Sequence, residues 1–315
     1  MARPSAANIV VIGSLNVDLI AQVDHLPKPG DTVAATQLVK RFGGKGGNQA
    51  LAAARQGAQV MFIGNLGDDP DGRDYRNHLR REGINCSSLN NVKGVTGNAY
   101  ITVDQAGENQ IVVIPGANGV LTGPSIKMQR ARIAVAKMLL LQLEIPMDAA
   151  VDAIRIANEA KVAVVLNASP VLPKFPWGDL KFDVVIVNEN EARQIFDLTP
   201  SAAAVHHDSW KERLTAKRIR HLIITRGGSS TLLISKTGVE EVPAFPVTPV
   251  DTVGAGDTFA GAFTTYLAEG IDILEAIRWA NAAAALSTQK SGAQEGVPHR
   301  GDVQSALTAA GAAKD

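Results

Sequence analysis

Short, mostly apolar runs alternate with stretches of helical spacing along most of the chain. The apolar runs predict buried strands: Ile9–Ile12, Val60–Ile63, Met138–Leu143, Val162–Leu166, Val184–Val187 and Leu222–Ile224. Two further strands are predicted in the C-terminal half, at Thr231–Ser235 and Glu240–Pro243. The segments between and after them predict helices: Asn48–Gln56, Asp71–Glu82, Met147–Ala160, Asn190–Phe196, Thr258–Glu269 and Ile273–Thr288. Strands that alternate with helices predict an α/β fold, with a central, mostly parallel sheet and helices on both faces.

Two segments break this alternation, at approximately residues 16–41 and 96–116. The second contains a predicted hairpin of Ala99–Val103 and Gln110–Ile114. Neither segment has the pattern of a buried parallel strand, so we expect them to form a small β-sheet that acts as a lid on a single domain spanning residues 1–315. A lid with an exposed apolar face favours self-association, and we expect a homodimer formed through it.

Composition excludes several classes of protein. The 315 residues include 45% hydrophobic residues, only 4% aromatic residues and 29 glycines, which is typical of an α/β enzyme with many tight turns. Lys+Arg and Asp+Glu both number 31, so no net charge favours nucleic acid or acidic membranes. A single cysteine, Cys86, and the absence of an apolar leader predict a cytoplasmic protein with no membrane partner.

The segment Asp251–Phe259 places two glycines directly before an acidic residue that opens a helical run. Gly254 and Gly256 have no Cβ, so the backbone can approach a ligand closely. The amides of a first helical turn attract anions. Asp257 is therefore an unusual residue there, unless it accepts a proton while the amides hold a phosphate. This pattern indicates phosphoryl transfer to a hydroxyl group.

A second glycine cluster spans Gly43–Gln49. It is not a phosphate loop of the Walker type, because Lys45 is followed by Gly46 and Val39 occupies the position of that motif's first glycine. One interpretation is that the glycines let the backbone contact a small polar ligand while Lys45 and Asn48 donate hydrogen bonds. The alternative is a loop-to-helix turn capped by Asn48. Four glycines around one lysine favour the ligand.

Other polar residues follow predicted strands, where α/β sheets bind ligands. Asn16 and Asp18 are two apart in an extended chain, so they either bracket vicinal hydroxyls or simply form a turn. Glu144 and Asn188–Glu191 either cap helices or meet a magnesium ion that a nucleotide brings. The turn Thr225–Ser230 either contacts a nucleotide or only connects two strands.

Several other chemistries have no support in the sequence. The histidines show no metal-ligand spacing, and His206 and His207 lie in a predicted polar loop. No Gly-x-Ser-x-Gly elbow is present, and Gly13-Ser14-Leu15 does not supply the glycine pattern of a dinucleotide site.

The two glycine signatures, Gly43–Asn48 followed by Asp251–Phe259, resemble those of the ribokinase-like carbohydrate kinases, and the similarity extends over essentially the whole chain. Four further matches support it: Asn16-Val17-Asp18, Gln142-Leu143-Glu144, Asn188–Glu191 and Gly292-Ala293-Gln294. The resemblance implies ATP-dependent phosphorylation of the 5-hydroxyl of D-ribose, with Mg²⁺ and K⁺ as cofactors. Alternatives are a kinase of the same fold for deoxyribose, a ketose or a nucleoside, and a catalytically silent sugar-binding regulator. Aromatic residues are scarce near these motifs, which disfavours a nucleoside.

The resemblance also implies roles for individual residues. Asp257 would be the general base, and the amides of Gly254, Ala255, Gly256 and Asp257 would form an anion hole. The sugar would contact Asn16, Asp18, Gly44, Lys45, Gly46, Asn48, Glu144 and Asp257. The nucleotide would contact Asn188, Thr225, Arg226, Gly227, Gly228, Ser229, Ser230, Gly256 and Asn281. Glu191 would organise Mg²⁺, and K⁺ would be held by Asp251, Val253, Ser287, Lys290, Gly292 and Gly296. Gly296 stands where the family often has serine, and Asn281 where it often has histidine.

Overall fold

The computed structural model describes residues 8–203 and 206–312, and two β-sheets organise it. The strands are β1 (Asn8–Ile12), β2 (Asn16–Val23), β3 (Ala35–Gly43), β4 (Gln59–Gly67), β5 (Asn85–Val92), β6 (Gly97–Val103), β7 (Asn109–Ile114), β8 (Met138–Gln142), β9 (Ala163–Asn167), β10 (Phe182–Asn188), β11 (Ile219–Thr225), β12 (Ser230–Ser235) and β13 (Val239–Pro243). The helices are α1 (Lys45–Arg55), α2 (Pro70–Arg81), α3 (Gly123–Lys127), α4 (Arg130–Ala134), α5 (Met147–Ala160), α6 (Glu189–Phe196), α7 (His207–Ala216), α8 (Ala255–Glu269), α9 (Ile273–Ser287) and α10 (Arg300–Ala312). None of these helices is long and apolar enough to cross a membrane.

The large sheet has nine strands in the order β13-β12-β11-β10-β9-β8-β1-β4-β5. All neighbours from β11 to β5 pair in parallel, and β12 and β13 add an antiparallel edge. Val11 contacts one apolar cluster and Val10 and Ile12 contact another, because successive side chains of a strand point to opposite faces. Helices cover both faces of the sheet, so the side chains of the central strands are buried on both sides, and these strands are apolar throughout. The predicted α/β class and mostly parallel sheet are confirmed.

The small sheet has four strands in the order β3-β2-β6-β7. β2 pairs with β3 antiparallel and with β6 in parallel, and β6 and β7 form the predicted hairpin. Only three residues separate β1 from β2, so the small sheet begins at the carboxyl edge of the large one. The predicted additional small sheet is confirmed, with its strands in residues 16–43 and 97–114.

Five elements were not predicted from the sequence: β5, α3, α4, α7 and α10. β5 is an edge strand with the sequence NCSSLNNV, and its mixed burial gives no continuous apolar run. The prediction that His206 and His207 lie in a loop was wrong for His207, where α7 begins. Trp210 and Leu214 are four residues apart and both are buried, which holds this otherwise polar helix on the sheet.

Candidate active site

The carboxyl ends of five parallel strands meet the base of the small sheet. Loops that follow β1, β8, β9, β10 and β11 reach this edge, together with the N-termini of α1, α6 and α8. Parallel strands place their carboxyl ends at one edge of a sheet, and ligands of open α/β sheets bind there. Most of the polar residues singled out from the sequence lie in these loops and helix termini.

The two glycines at the start of α8 have different roles. Gly254 is the N-cap residue with φ 78°, and a Cβ there would lie 2.8 Å from the Cα of Ala293. A Cβ on Gly256 would meet only open space. Gly254 is therefore required by the fold of the turn, whereas Gly256 leaves the cavity wall free for a ligand.

The amides of this turn are mostly unused. The amide of Ala255 donates to the carbonyl of Thr252 at 3.2 Å, so that amide is engaged within the turn. In the described part of the protein, the amides of Gly254, Gly256 and Asp257 have no hydrogen-bond acceptor. Unpaired amides at a helix N-terminus form an anion-binding site.

Asp257 is buried, with 6% of its surface exposed, and two amide side chains hold its carboxylate. Its Oδ2 accepts from Asn48 Nδ2 and its Oδ1 from Gln49 Nε2, both at 2.9 Å. The alternative interpretation, in which Asn48 caps its helix, is wrong, because α1 begins at Lys45 with Gly44 as the N-cap residue at φ 83°. The early start turns Asn48 inward towards Asp257.

Gln49 links Asp257 to the ends of two strands. Its Nε2 also donates to Asn167 Oδ1 at 3.0 Å, and its Oε1 accepts from Gln142 Nε2 at 2.9 Å. Asn167 ends β9 and Gln142 ends β8. The sheet edge therefore fixes the orientation of the carboxylate through one glutamine.

Asn48 is held in a similar way from the other side. Gln294 Nε2 donates to Asn48 Oδ1 at 3.0 Å and to the Tyr75 hydroxyl at 2.8 Å. No role was predicted from the sequence for Gln49, Gln294 or Tyr75. Two adjacent polar residues within the alanine-rich segment of α1 were an available signal for Gln49, since a buried helix face seldom carries them. The sequence holds no comparable signal for Tyr75.

Asn16 and Asp18 lie two apart on β2 and therefore on the same face of the small sheet. Asp18 packs over Gly43, where a Cβ would lie 2.2 Å from its Oδ2. Burial, and then the charges of Glu144 and Glu295, raise the pKa of Asp18 from 3.8 to about 7. Around neutral pH this group therefore exchanges between carboxyl and carboxylate.

Glu144 closes the space next to Asp18. Its Oε2 accepts from the Lys45 amide at 3.0 Å and from the Ser14 hydroxyl. Asn16 Oδ1 accepts from Asn118 Nδ2 at 2.8 Å, a contact that the sequence did not predict. The polar residues predicted to bind a sugar thus come together where β1, β2, β8 and α1 meet.

A cavity of ≈ 220 Å³ extends from Asp257 towards α6. The side chain of Lys45 faces it, and the nearby Asp257 carboxylate raises the pKa of Lys45, with smaller contributions from Glu144 and Glu191 that act against its burial. Lys45 therefore remains a cation. The cavity is lined by Lys45, Asn167, Ser169, Ile186, Val187, Asn188, Glu191, Thr225, Gly254, Gly256 and Asp257.

Asn188 and Glu191 form a capping box at the start of α6. Asn188 Oδ1 accepts from the Glu191 amide at 2.9 Å, and Glu191 Oε2 accepts from the Asn188 amide at 2.8 Å. The alternative interpretation of these residues as helix caps is therefore correct. Glu191 Oε1 has no hydrogen bond among residues 8–203 and 206–312, so the cap is compatible with a further ligand.

A second cavity of ≈ 360 Å³ adjoins the first, and Thr225 and Gly256 line both. Its apolar walls suit a planar base. The cavity is lined by Thr225, Gly227, Gly228, Thr231, Ala244, Phe245, Pro246, Val247, Pro249, Thr252, Ala255, Gly256, Phe259, Asn281, Ala284, Ala285 and Thr288. Asn281 faces it while its Oδ1 accepts from Thr231 Oγ1 at 2.7 Å and its Nδ2 donates to the Pro243 carbonyl at 3.0 Å.

Three residues of the turn after β11 lie outside this cavity lining: Arg226, Ser229 and Ser230. The side chains of Arg226 and Ser230 bond to each other and to Glu241. The Ser229 amide donates to the Arg226 carbonyl at 3.1 Å, and β11 and β12 are antiparallel. The segment is thus a hairpin turn, and it also contributes Gly227 and Gly228 to the cavity.

Asp251 joins the segments that contain the predicted potassium ligands. Its Oδ1 accepts from the Val253 amide at 3.0 Å. Its Oδ2 accepts from the Gly292 amide at 2.9 Å and from the Ser291 hydroxyl at 3.2 Å. The two segments are therefore held side by side next to the N-terminus of α8.

Backbone carbonyls converge beside Gly296. A Cβ on Gly296 would lie 2.2 Å from the carbonyl oxygen of Ser287 and 3.3 Å from that of Lys290. Converging carbonyl oxygens are the ligands that potassium sites use. The residues present therefore fit the predicted cation.

Comparison with known proteins identifies the family. The model of the pfkB family carbohydrate kinases matches residues 6–300. The chain is 37% identical to a ribokinase of Haemophilus influenzae over 300 residues, which cover 93% of this chain and 95% of the relative. It is 37% identical to a ribokinase of Bacillus subtilis over 303 residues, which cover 96% and 99%. A solved Arabidopsis thaliana ribokinase, complexed with ribose and ATP, superposes with a TM-score of 0.87 at 27% identity, covering 96% of this chain and 99% of that one. The chain therefore belongs to the pfkB family of carbohydrate kinases.

Proposed function

We propose that the protein transfers the γ-phosphoryl group of ATP to the 5-hydroxyl of D-ribose, giving ribose 5-phosphate. The main support is the position of Asp257, buried at the N-terminus of α8 and facing a cavity that adjoins a second one. Relatives that cover nearly the whole chain are ribokinases, and one solved relative is complexed with ribose and ATP.

Asp257 is the proposed general base. Asn48 and Gln49 orient its carboxylate, which accepts the hydroxyl proton as the oxygen attacks phosphorus. In phosphoryl transfer the protein mainly positions the reactants and stabilises charge on the transferred group. The free amides of Gly254, Gly256 and Asp257 are suited to that stabilisation. The Ala255 amide would contribute only by leaving Thr252.

The sugar is proposed to lie between the small sheet and the start of α1. Acceptor oxygens of Asn16, Asp18 and Glu144 would bind its hydroxyls, with Asn48 as a donor. Gly44 and Gly46 let the start of α1 lie directly against the loop after β1, where a Cβ at either position would clash with the backbone. Asp18 would carry the specificity for a polyhydroxylated ligand, since a substrate that lacks the matching hydroxyl would leave this half-buried carboxylate without a hydrogen-bond donor.

The nucleotide is proposed to fill the ≈ 360 Å³ cavity with its base and to extend its phosphates past Thr225 and Gly256. Lys45 then lies near the phosphates as a cation. Mg²⁺ would be held by the phosphates and by Glu191 through water, and it would neutralise phosphate charge. K⁺ would be held by the carbonyls of Ser287 and Lys290 and by the Asp251 segment.

An ADP-release assay over ribose, deoxyribose, fructose and nucleosides, with and without K⁺, tests this proposal. We expect ribose to give the highest kcat/KM, the product to be ribose 5-phosphate, and K⁺ to increase the rate. Higher activity with another acceptor would reassign the substrate. Ribose binding by calorimetry without any ADP release would indicate a silent sugar-binding protein instead.

A further inference from the structure

A groove of ≈ 610 Å³ lies at the amino ends of β9, β10 and β11. The same three strands end at Asn167, Asn188 and Thr225, which line the candidate active site. The groove is therefore at the opposite edge of the sheet and shares no lining residue with the active-site cavities.

Positive charge dominates this groove. In the described ranges, none of its five cationic residues has a carboxylate within 4.0 Å, although all five are exposed. The one acidic residue in the lining is Asp183, whose Oδ2 accepts from the Val164 amide at 2.9 Å. The five cations are Lys161, Lys181, Arg218, Arg220 and Lys236.

Local structure alone does not explain this concentration of cations. Lys161 and Arg218 follow the C-termini of α5 and α7, where helix dipoles favour a positive charge. Both have a left-handed backbone, with φ 59° and 56°, which glycine ordinarily occupies. Lys181 and Arg220 stand at the starts of strands and Lys236 in a turn, so no helix dipole accounts for these three.

We propose that this groove binds a small polyanion, a phosphorylated metabolite that carries at least two negative charges. The groove volume lies within the range of small-molecule sites, roughly 300–1,000 Å³. Lys+Arg and Asp+Glu both number 31 in the whole chain, so positive charge is concentrated here against a neutral background. A local concentration fits a small ligand better than an extended nucleic acid, which needs many phosphate contacts.

Titration calorimetry with inorganic pyrophosphate at constant ionic strength tests the site. The groove variant is Lys181→Gln, Arg220→Gln, Lys236→Gln. The Lys181 backbone bonds to the side chain of Asn158, and the substitution leaves these bonds in place. We expect pyrophosphate binding to be about ten-fold weaker or more, since the variant removes three charged contacts to the ligand at once.

The matched control replaces three exposed cations outside the groove with glutamine: Arg81, Lys93 and Lys137. It changes the net charge equally and should bind pyrophosphate as the unmodified protein does. Equal binding by all three proteins, or an equal loss in both variants, would overturn the site. If the groove variant does not fold, Lys236→Gln alone should weaken binding about two- to five-fold, and unchanged binding by that variant would also overturn it.

Discussion

At the scale of single residues, Asp257 depends on partners that lie 209 and 208 positions away in the chain, Asn48 and Gln49. Asp257→Asn should lower kcat on the order of 10²–10⁴-fold, because an amide cannot accept the hydroxyl proton. Ribose binding, measured by calorimetry, should persist because the other sugar contacts remain. Asp208→Asn, an exposed first-turn aspartate of α7, is the control and should keep normal turnover. Near-normal kcat in Asp257→Asn would contradict its role as the base.

The raised pKa of Asp18 predicts that sugar binding depends on pH. With a pKa of about 7 it is mostly ionised at pH 8, and about one tenth ionised at pH 6. Only the carboxylate is a strong acceptor for sugar hydroxyls, so the Kd for ribose should rise about ten-fold from pH 8 to pH 6. Asp18→Asn should bind ribose more weakly at pH 8 and remove this dependence. A dependence that survives in Asp18→Asn would assign the titration to another group.

The same group should affect stability with the opposite sign to an ordinary ion-paired aspartate. Because the folded state raises the pKa of Asp18 from 3.8 to about 7, the folded state binds more protons than the unfolded state in this window. The free energy of unfolding should therefore fall as pH rises from 3.8 to about 7. Urea unfolding should show that the free energy of unfolding falls less steeply with pH over this range in Asp18→Asn than in the unmodified protein.

The sequence predicted residues whose chemistry is visible locally and missed those that act through other residues. Gly254, Gly256 and Asp257 were singled out because glycines before an acid in a helix start are unusual. Gln294 entered only as part of a family match without a role, and Tyr75 was missed, because nothing near them in the chain shows that Gln294 holds Asn48 from 246 residues away.

At the scale of elements, the first turn of α8 can be tested without disturbing the fold. A Cβ on Gly256 would meet open space, so Gly256→Val should leave the thermal melting temperature nearly unchanged. The added side chain would occupy the space proposed for the transferred phosphoryl group, and kcat should fall on the order of 10²–10³-fold or more. A fully active Gly256→Val protein would exclude an anion hole at this turn.

The packing of α1 on α8 gives a second prediction at this scale. A Cβ on Gly261 would lie 2.4 Å from the Gln49 carbonyl and 2.7 Å from the Ala52 Cβ. Gly261→Ala should therefore push the helices apart, destabilise the protein by about 1–3 kcal/mol and lower kcat by moving Asn48 and Gln49. Gly301→Ala in α10 is the control, since its Cβ meets open space. Equal unfolding midpoints and rates for both variants would show that this contact does not position the amides.

Helices and strands were predictable where burial produces a regular pattern or an unbroken run of apolar residues. β8 is buried at all five positions and its apolar run was found, whereas the edge strand β5 mixes buried and exposed positions and was missed. The bounds of α1 were missed because its N-terminal turn is made of glycines, which have low helix propensity in isolation. Tertiary packing against β1 and α8 overrides that propensity.

At the scale of the whole molecule, the sequence predicted a large sheet and a separate small one, because two segments visibly interrupt the alternation of strands and helices along the chain. It could not show the groove at the amino ends of β9 to β11, since its cations come from four separate segments. Charge clusters of this kind appear only when the strand order is known.

That the lid forms a dimer interface remains a prediction, and the exposed surface of the small sheet gives that prediction a physical basis. The lid surface is the outer strand β7, exposed at all six positions, together with Tyr100, the cross-strand partner of Val112. Val112 and Ile114 are 64% and 40% exposed on one face. An unpaired strand edge that carries such residues favours pairing with another copy. Sedimentation at about 10 µM should give about twice the 33.1 kDa chain mass.

Val112→Lys with Ile114→Lys should shift that mass towards the monomer, because association would bury two charges without partners. The control changes two exposed apolar residues outside the lid, Met128→Lys and Val135→Lys, which are 76% and 74% exposed. It adds the same charge and should remain dimeric. A monomeric unmodified protein, or dissociation of the control alone, would remove the lid as the interface. Because the lid also carries Asn16 and Asp18 on β2, dissociation should raise the KM for ribose more than it lowers kcat.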